Sequence, residues 1–438
     1  MSITSRIFVS TICIILALLM LVGCKSPSTP NTDDETTPDK KTPDIVYDDN
    51  PVSYNVAVTG NVLQYSDGFF YFLSFETGNG KRLMRNTDIF KYNPKTGLLT
   101  YVCKDPVCDH KTPDCPLFGH MTMFFYKDRL FFNKNYKYAY QNRETEIFMG
   151  FASYDTVSGE LNKLQVDAFE VAEKPTVKFA GELASHALFF DNYRFYYEVD
   201  YNEELDSDVR MLKRMNIDTG EVTILDNSSN TANGQSTSTL SYLFCVDGRL
   251  YLSDMKSLYS TNLDYKDKKI IAESVFGEET VTNGKVIVWR NSDTHELYAM
   301  NMDGTNSRSL GIKASSFKLN EKSLYYFSDE EIELGTASET GKPEIITNFE
   351  LYKYSFETEK SEQLLDLRSD DGCITTSSWE VVNNCLYGRY RKWTYPKTGE
   401  RFSYERHRYS GTDTEHVNTI LRVDLATGEQ NFIELAVN

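Results

Sequence analysis

From residue 58 onward, short runs of alternating or continuous apolar residues recur along the chain, each opened by a polar turn pair. They stand at Asp67-Gly68, Asp128-Arg129, Asp191-Asn192, Asp247-Gly248, Asn283-Gly284, Asn320-Glu321 and Asn383-Asn384, and each is followed by Phe, Tyr, Leu, Val or Ile. Such pairs accept the positive φ that tight hairpins need, and the residues after them suit a pleated, half-buried strand. A second marker follows each first one, at Tyr92 to Gly97, Tyr154 to Gly159, Ile217 to Gly220, Leu263-Asp264, Met302 to Gly304, Phe356 to Glu359 and Val423 to Gly428. Here a leading Asp or Asn can bond the backbone two residues on, and most of the markers carry a glycine for the left-handed turn position.

Two markers in strict alternation predict one supersecondary unit repeated seven times, with strands A, B, C and D and the markers as A–B and C–D turns. First markers are spaced by 61, 63, 56, 36, 37 and 63 residues, so a core unit of about 36 carries loop insertions. A four-stranded antiparallel unit repeated around an axis is a β-propeller blade, an arrangement that protects strand edges. Open solenoid coils are shorter and more uniform. The expected fold is all-β, a seven-bladed β-propeller, with six or eight blades as alternatives and no helix of consequence.

The first residues read as a processing signal. Arg6 precedes an uncharged run from Ile7 to Gly23, which leads into Leu21-Val22-Gly23-Cys24. This is similar to the lipobox of bacterial lipoproteins, and the resemblance implies cleavage before Cys24 and a diacylglyceryl thioether on its sulfur. A transmembrane anchor needs about 20 apolar residues, more than this run supplies. Residues 25–50 hold four prolines, five threonines and seven acids against three bases, and read as a solvated spacer. The expected division is 1–23 signal peptide, 24–50 lipidated cysteine and disordered spacer, and 51–438 propeller.

Composition narrows the function. The 438 residues are 40% hydrophobic and 13% aromatic with a net charge of -18, which excludes a disordered chain and argues against nucleic acid as a partner. After Cys24 six cysteines remain, three of them in Cys103-x4-Cys108-x-His110-x4-Cys115. That cluster can be read as a disulfide, as a zinc site or as unpaired thiols, because all four residues are ligand types zinc accepts and the exterior is oxidising. Cys245 and Cys385 read as buried small hydrophobes.

The sequence has no Gly-x-Ser-x-Gly elbow, His-Glu-x-x-His or phosphate-binding loop. Acidic segments at Glu198 to Asp208 and Asp329 to Glu333 lack calcium-loop spacing and read as hairpin tips. One segment stands against the acidic background. Tyr387 to Tyr409 carries seven Arg or Lys against two Glu, with Trp393, Phe402 and five tyrosines. Alternation puts Tyr387, Arg389, Arg391, Trp393 and Tyr395 on one face of a long B–C hairpin. With Arg401, Tyr404 and Arg406 they form a candidate surface for a glycan or an anionic group. The competing reading is a hairpin whose aromatics pack against a neighbour.

Taken with the lipobox and spacer, repeats such as Asp247-Gly-Arg-Leu-Tyr251 and Tyr154-Asp-Thr-Val-Ser-Gly-Glu160 resemble bacterial lipoproteins with a TolB-like propeller. Cys103-Lys-Asp-Pro-Val-Cys108-Asp-His110 through Cys115-Pro116 is similar to a segment in largely uncharacterised members from Gram-positive anaerobes. The resemblance implies a scaffold or binding role at the cell surface and carries over no catalytic residue. The expected protein is therefore anchored in membrane lipid through Cys24, palmitate-type acylation included, on the extracytoplasmic face. It binds a glycan or a surface protein, and a propeller glycan lyase or glycoside hydrolase is the alternative. Meander connectivity puts the cysteine cluster, a D–A connection, and the hairpin, a B–C extension of the last repeat, on one face, where a ligand is expected at the central opening.

Overall fold

A computed structural model describes residues 54–434 apart from 57, 60–62, 79–80, 109–114, 118–119, 135–149, 167–185, 203–206, 227–240, 255, 321, 339, 405–407 and 411–418. The expected domain boundaries at residues 23 and 50 therefore lie outside the described residues. Apart from a helical residue at Tyr404, the secondary-structure elements described are β-strands.

Four-stranded antiparallel meanders follow one another along the chain. The first runs from Leu63–Ser66 to Leu99–Tyr101, the second from His120–Tyr126 to Leu161–Val166, the third from His186–Phe190 to Val222–Asp226, and the fourth from Ser241–Val246 to Lys269–Glu273. The last uses Gly372–Val382, Cys385–Thr394, Thr419–Asp424 and Gln430–Glu434. Between the fourth and the last, the chain departs from the expected seven separate blades. Arg308–Asn320 pairs with Glu296–Asn301 through its first half and with Ser323–Ser328 through its second. With no connection between a D strand and the next A strand, the fifth and sixth repeats fuse into one seven-stranded sheet. Five blades thus stand as sheets of their own, and the expectation of seven is corrected to five discrete blades plus this double sheet.

The markers act as their chemistry requires. Asp67 and Gly68, Asp247 and Gly248, and Asn383 and Asn384 all have positive φ at A–B turns. At C–D turns the Asp155 carboxylate accepts from the Val157 and Ser158 amides, both at 2.8 Å, and Asp424 accepts from Ala426 and Thr427 at 2.9 and 3.0 Å. These bonds favour the ionised form and hold both carboxyls below the usual range.

Sheet-to-sheet packing closes a ring. Tyr71 and Ile89 of the first sheet share a core with Phe125, Leu130 and Phe132 of the second. Further clusters join the second to the third, the third to the fourth, and the fourth to the double sheet. The double sheet has its own internal core and packs on the last sheet, and the last packs on the first through Tyr387, Ile420, Phe70 and Phe72. Full burial of such a side chain contributes about 1.5–3 kcal/mol. The molecule is an all-β propeller.

First strands of neighbouring sheets lie against one another, Ser241–Val246 touching both His186–Phe190 and Val275–Thr282. They surround the axis. Tyr54–Val56 pairs antiparallel with Ser241–Val246, Tyr54 opposite Val246, and Val58–Thr59 pairs antiparallel with His186–Phe190, Thr59 opposite His186. The N-terminal strands therefore run along inner strands from the A–B turn face to the face of the D–A and B–C connections.

Candidate functional site

Two insertions meet on that second face. In the sixth repeat the B–C connection is drawn out into the hairpin Ile332–Thr336 and Pro343–Ile346. In the last repeat the B strand Cys385–Thr394 runs on past Trp393 into Tyr395, Pro396, Lys397 and Glu400. Apolar residues from both join: Leu334, Ala337 and Ile346 pack with Cys373, Trp393 and Phe402. The Ser338 amide donates to the Phe402 carbonyl at 3.2 Å, and the Tyr404 hydroxyl bonds the Glu344 carboxylate.

Ile332, Glu333, Leu334, Tyr395, Pro396, Lys397 and Glu400 line an open groove of about 330 Å³ between the two insertions. One wall is apolar, one aromatic, and an ammonium and two carboxylates stand at its rim. Burial, chiefly, pushes the Tyr395 phenol up. Beside the groove Arg368 is held by Asp366 and Glu330, with contacts of 2.7 and 3.1 Å, and by the buried Glu350. These carboxylates converge on a guanidinium. Desolvation raises the Glu350 carboxyl, Glu330 adding to the rise.

The structure redistributes the residues expected to form a binding face. Arg389 and Trp393 are buried, at 5% and 4% exposure, so they present no surface. The Trp393 indole donates to Thr375 Oγ1 at 3.0 Å and its ring lies 6.2 Å from that of Phe402. Burial lowers the Arg389 pKa to about 10. The even alternation fails because this strand is covered on both sides, by the first sheet through Tyr387 and by the double sheet through Leu386 and Tyr390. Arg391 and Arg401 are exposed, Tyr404 is half-buried, and Arg406 lies outside the described residues. Of the expected set, Tyr395 alone lines the groove. Glu333 closes the acidic segment that reads as a hairpin tip in the sequence, and Lys397 and Glu400 fall inside the basic segment without being candidate binding residues, although the 63-residue interval after Asn320 marks an insertion there. The groove sits between insertions rather than at the central opening, along whose inner strands Tyr54–Val56 and Val58–Thr59 are paired.

The cysteine cluster lies on the D–A connection between the first and second sheets. Cys103 and Cys108 are half-buried, Cys115 is buried, and their three sulfurs lie within 4.8 Å of one another. His110 lies outside the described residues, as does Cys24. Cys245, Cys373 and Cys385 are buried, and burial pushes the Cys245 and Cys373 thiols up to about 12.

No family model matches the chain, and none of the curated proteins matches it. Solved structures similar to it are of low identity. The oligogalacturonate lyase from Vibrio parahaemolyticus is 12% identical over 87% of this chain and 96% of its own, with a TM-score of 0.42. The β-propeller domain of the Trilobed protease from Pyrococcus furiosus is 8% identical over 89% of this chain and 97% of its own, at 0.46. For the Pyrococcus horikoshii acylaminoacyl peptidase the values are 8%, 88% and 0.48, and the chain spans 52% of that protein's length.

Proposed function

We propose that the protein is a membrane-anchored, extracytoplasmic binding module. A diacylglyceryl group on Cys24 holds it to the bilayer, and the propeller binds a ligand on the face of the B–C insertions without chemistry. It is a bacterial lipoprotein of the TolB-like type in this reading, its signal peptide removed. Two acyl chains anchor stably where one does not.

The observation that carries the reading is the position of the groove. Tyr54, the first described residue, lies opposite Val246 at the A–B turn end of an inner strand, whereas the groove is lined by B–C insertions at the opposite end of the sheets. An open cleft with one aromatic ring, an amine and two carboxylates suits a polar oligosaccharide, whose ring face stacks on Tyr395 while Lys397, Glu333 and Glu400 take its hydroxyls. A second reading has one specific observation behind it. Glu333 and Glu400 line the same cleft, and paired carboxylates are what a glycoside hydrolase uses. Against it, the other nearby carboxylates are committed to Arg368.

The test has two parts. Labelled fatty acid should enter the wild-type protein and not Cys24→Ala, which should accumulate as a precursor. A panel of defined neutral, uronate and amino-sugar oligosaccharides should yield a binder whose retention Tyr395→Ala weakens and which emerges chemically unchanged. Fatty-acid incorporation into Cys24→Ala, or a shortened oligosaccharide, would defeat the proposal.

A further inference from the structure

We propose that Cys103, Cys108 and Cys115 together bind one thiophilic cation, of the zinc(II) or copper(I) kind, as three thiolates. The three sulfurs lie within 4.8 Å of one another although the residues are spread over a connection from residue 103 to 115. Zinc–sulfur bonds of about 2.3 Å put tetrahedral sulfurs about 3.8 Å apart, so closing on an ion asks for shifts of about an ångström at most. Parity separates this from a disulfide. A disulfide would join two of the three and leave the third thiol beside it, whereas one cation engages all three.

The surrounding chain is built to hold these sulfurs in place. The Lys104 amide donates to the Tyr154 hydroxyl at 2.9 Å, which fixes the residue after Cys103 to the second sheet. The Val107 amide donates to Asp105 Oδ1 at 3.0 Å and the Cys108 amide to the Asp105 carbonyl at 3.3 Å, folding the chain back so that Cys108 faces Cys103. Cys115 is anchored by its burial with Val102, Leu117 and Tyr154 in the core between the first two sheets. An ion here would brace the connection on the face that also carries the groove, independently of whether that groove binds a ligand.

The experiment uses the full chain, purified in detergent with reductant, stripped with chelator and then given zinc alone or copper(I) alone. One equivalent should survive gel filtration, and cobalt(II) in place of zinc should give thiolate-to-metal charge-transfer absorption. Cys108→Ser and Cys115→Ser should each weaken retention at least about 10-fold, on the scale of changes around metal ligands, while Cys385→Ser leaves it unchanged. Retention of copper(I) in preference to zinc on the same three cysteines supports the site and names its ion. Because Cys115 is buried, its variant must keep the wild-type circular dichroism to count; the half-buried Cys108 supplies the second variant. No retained ion, retention unaffected by either substitution, or a thiol titration of protein isolated without reductant that finds two of the three cysteines oxidised to a disulfide would each overturn the proposal.

Discussion

The ring of Phe70, in the first sheet, lies 4.5 Å from the ring of Tyr387, in the last. With Tyr92, 6.3 Å from Tyr387, and Ile420 this contact joins the first and last sheets into a closed ring. Both rings are almost fully buried. Phe70→Ala should therefore cost about 3–5 kcal/mol, the usual range for a deleted core aromatic. Urea unfolding measures it. Removing residues 368–438 should go further and abolish the single cooperative transition, since it bares two sheet faces.

Gly220 tests the C–D turns. It has φ +75°, and a Cβ there would stand 2.4 Å from the Leu164 carbonyl oxygen of the neighbouring sheet. Gly248 has φ +74° with nothing within 4 Å. Both alanine variants carry backbone strain of about 1 kcal/mol or more. Gly220→Ala should be the more destabilising, because backbone must also move. Equal melting temperatures for the two variants would show that the close approach to Leu164 is unimportant.

Trp393 and Arg391 separate packing from surface in the last hairpin. Trp393→Ala removes a buried ring and the bond to Thr375, and should lower stability by about 3–5 kcal/mol. Arg391 is exposed, and Arg391→Ala should stay within about 0.5 kcal/mol. Chemical denaturation of both variants checks the contrast.

Repeat arithmetic, turn chemistry and strand order could be read from the sequence because they depend on local rules. Asp155 and Asp424 bond the amides that an Asx turn requires wherever the turn sits. Which side of a strand is free depends on the neighbouring sheets, and this is where local reading failed. Inward and outward positions do not alternate along Cys385–Thr394, because neighbouring elements pack on both sides of that strand and make Arg389 and Trp393 interior. The fusion of the fifth and sixth repeats was equally hidden. Nothing in Arg308–Asn320 announces that one strand serves two blades. The groove depends on two insertions meeting across sheets, and sequence spacing marks the insertions without saying that they touch.

Acid should loosen the C–D turns. The folded-state pKa values of Asp155 and Asp424 are depressed by backbone amides, so their contribution is complete above the unfolded value near 4 and is lost as pH falls through the lower folded value. Asn can keep the turn bonds without titrating. In the double variant Asp155→Asn and Asp424→Asn, stability measured between pH 6 and pH 3 should fall less steeply than in the wild type. An unchanged slope would remove these turns from the acid response.

The proposed function makes the groove between the two B–C insertions a surface that retains an oligosaccharide intact. Its most direct test incubates the protein with the oligosaccharide panel, recording retention and the mass of every recovered sugar for wild type, Tyr395→Ala, Lys397→Ala, Glu333→Gln and Glu400→Gln. A retained oligosaccharide of unchanged mass is expected, with affinity reduced about 10-fold or more by Tyr395→Ala, on the scale of losing a principal contact. Retention indifferent to every groove substitution would contradict it, as would a cleaved product that disappears with Glu333→Gln or Glu400→Gln.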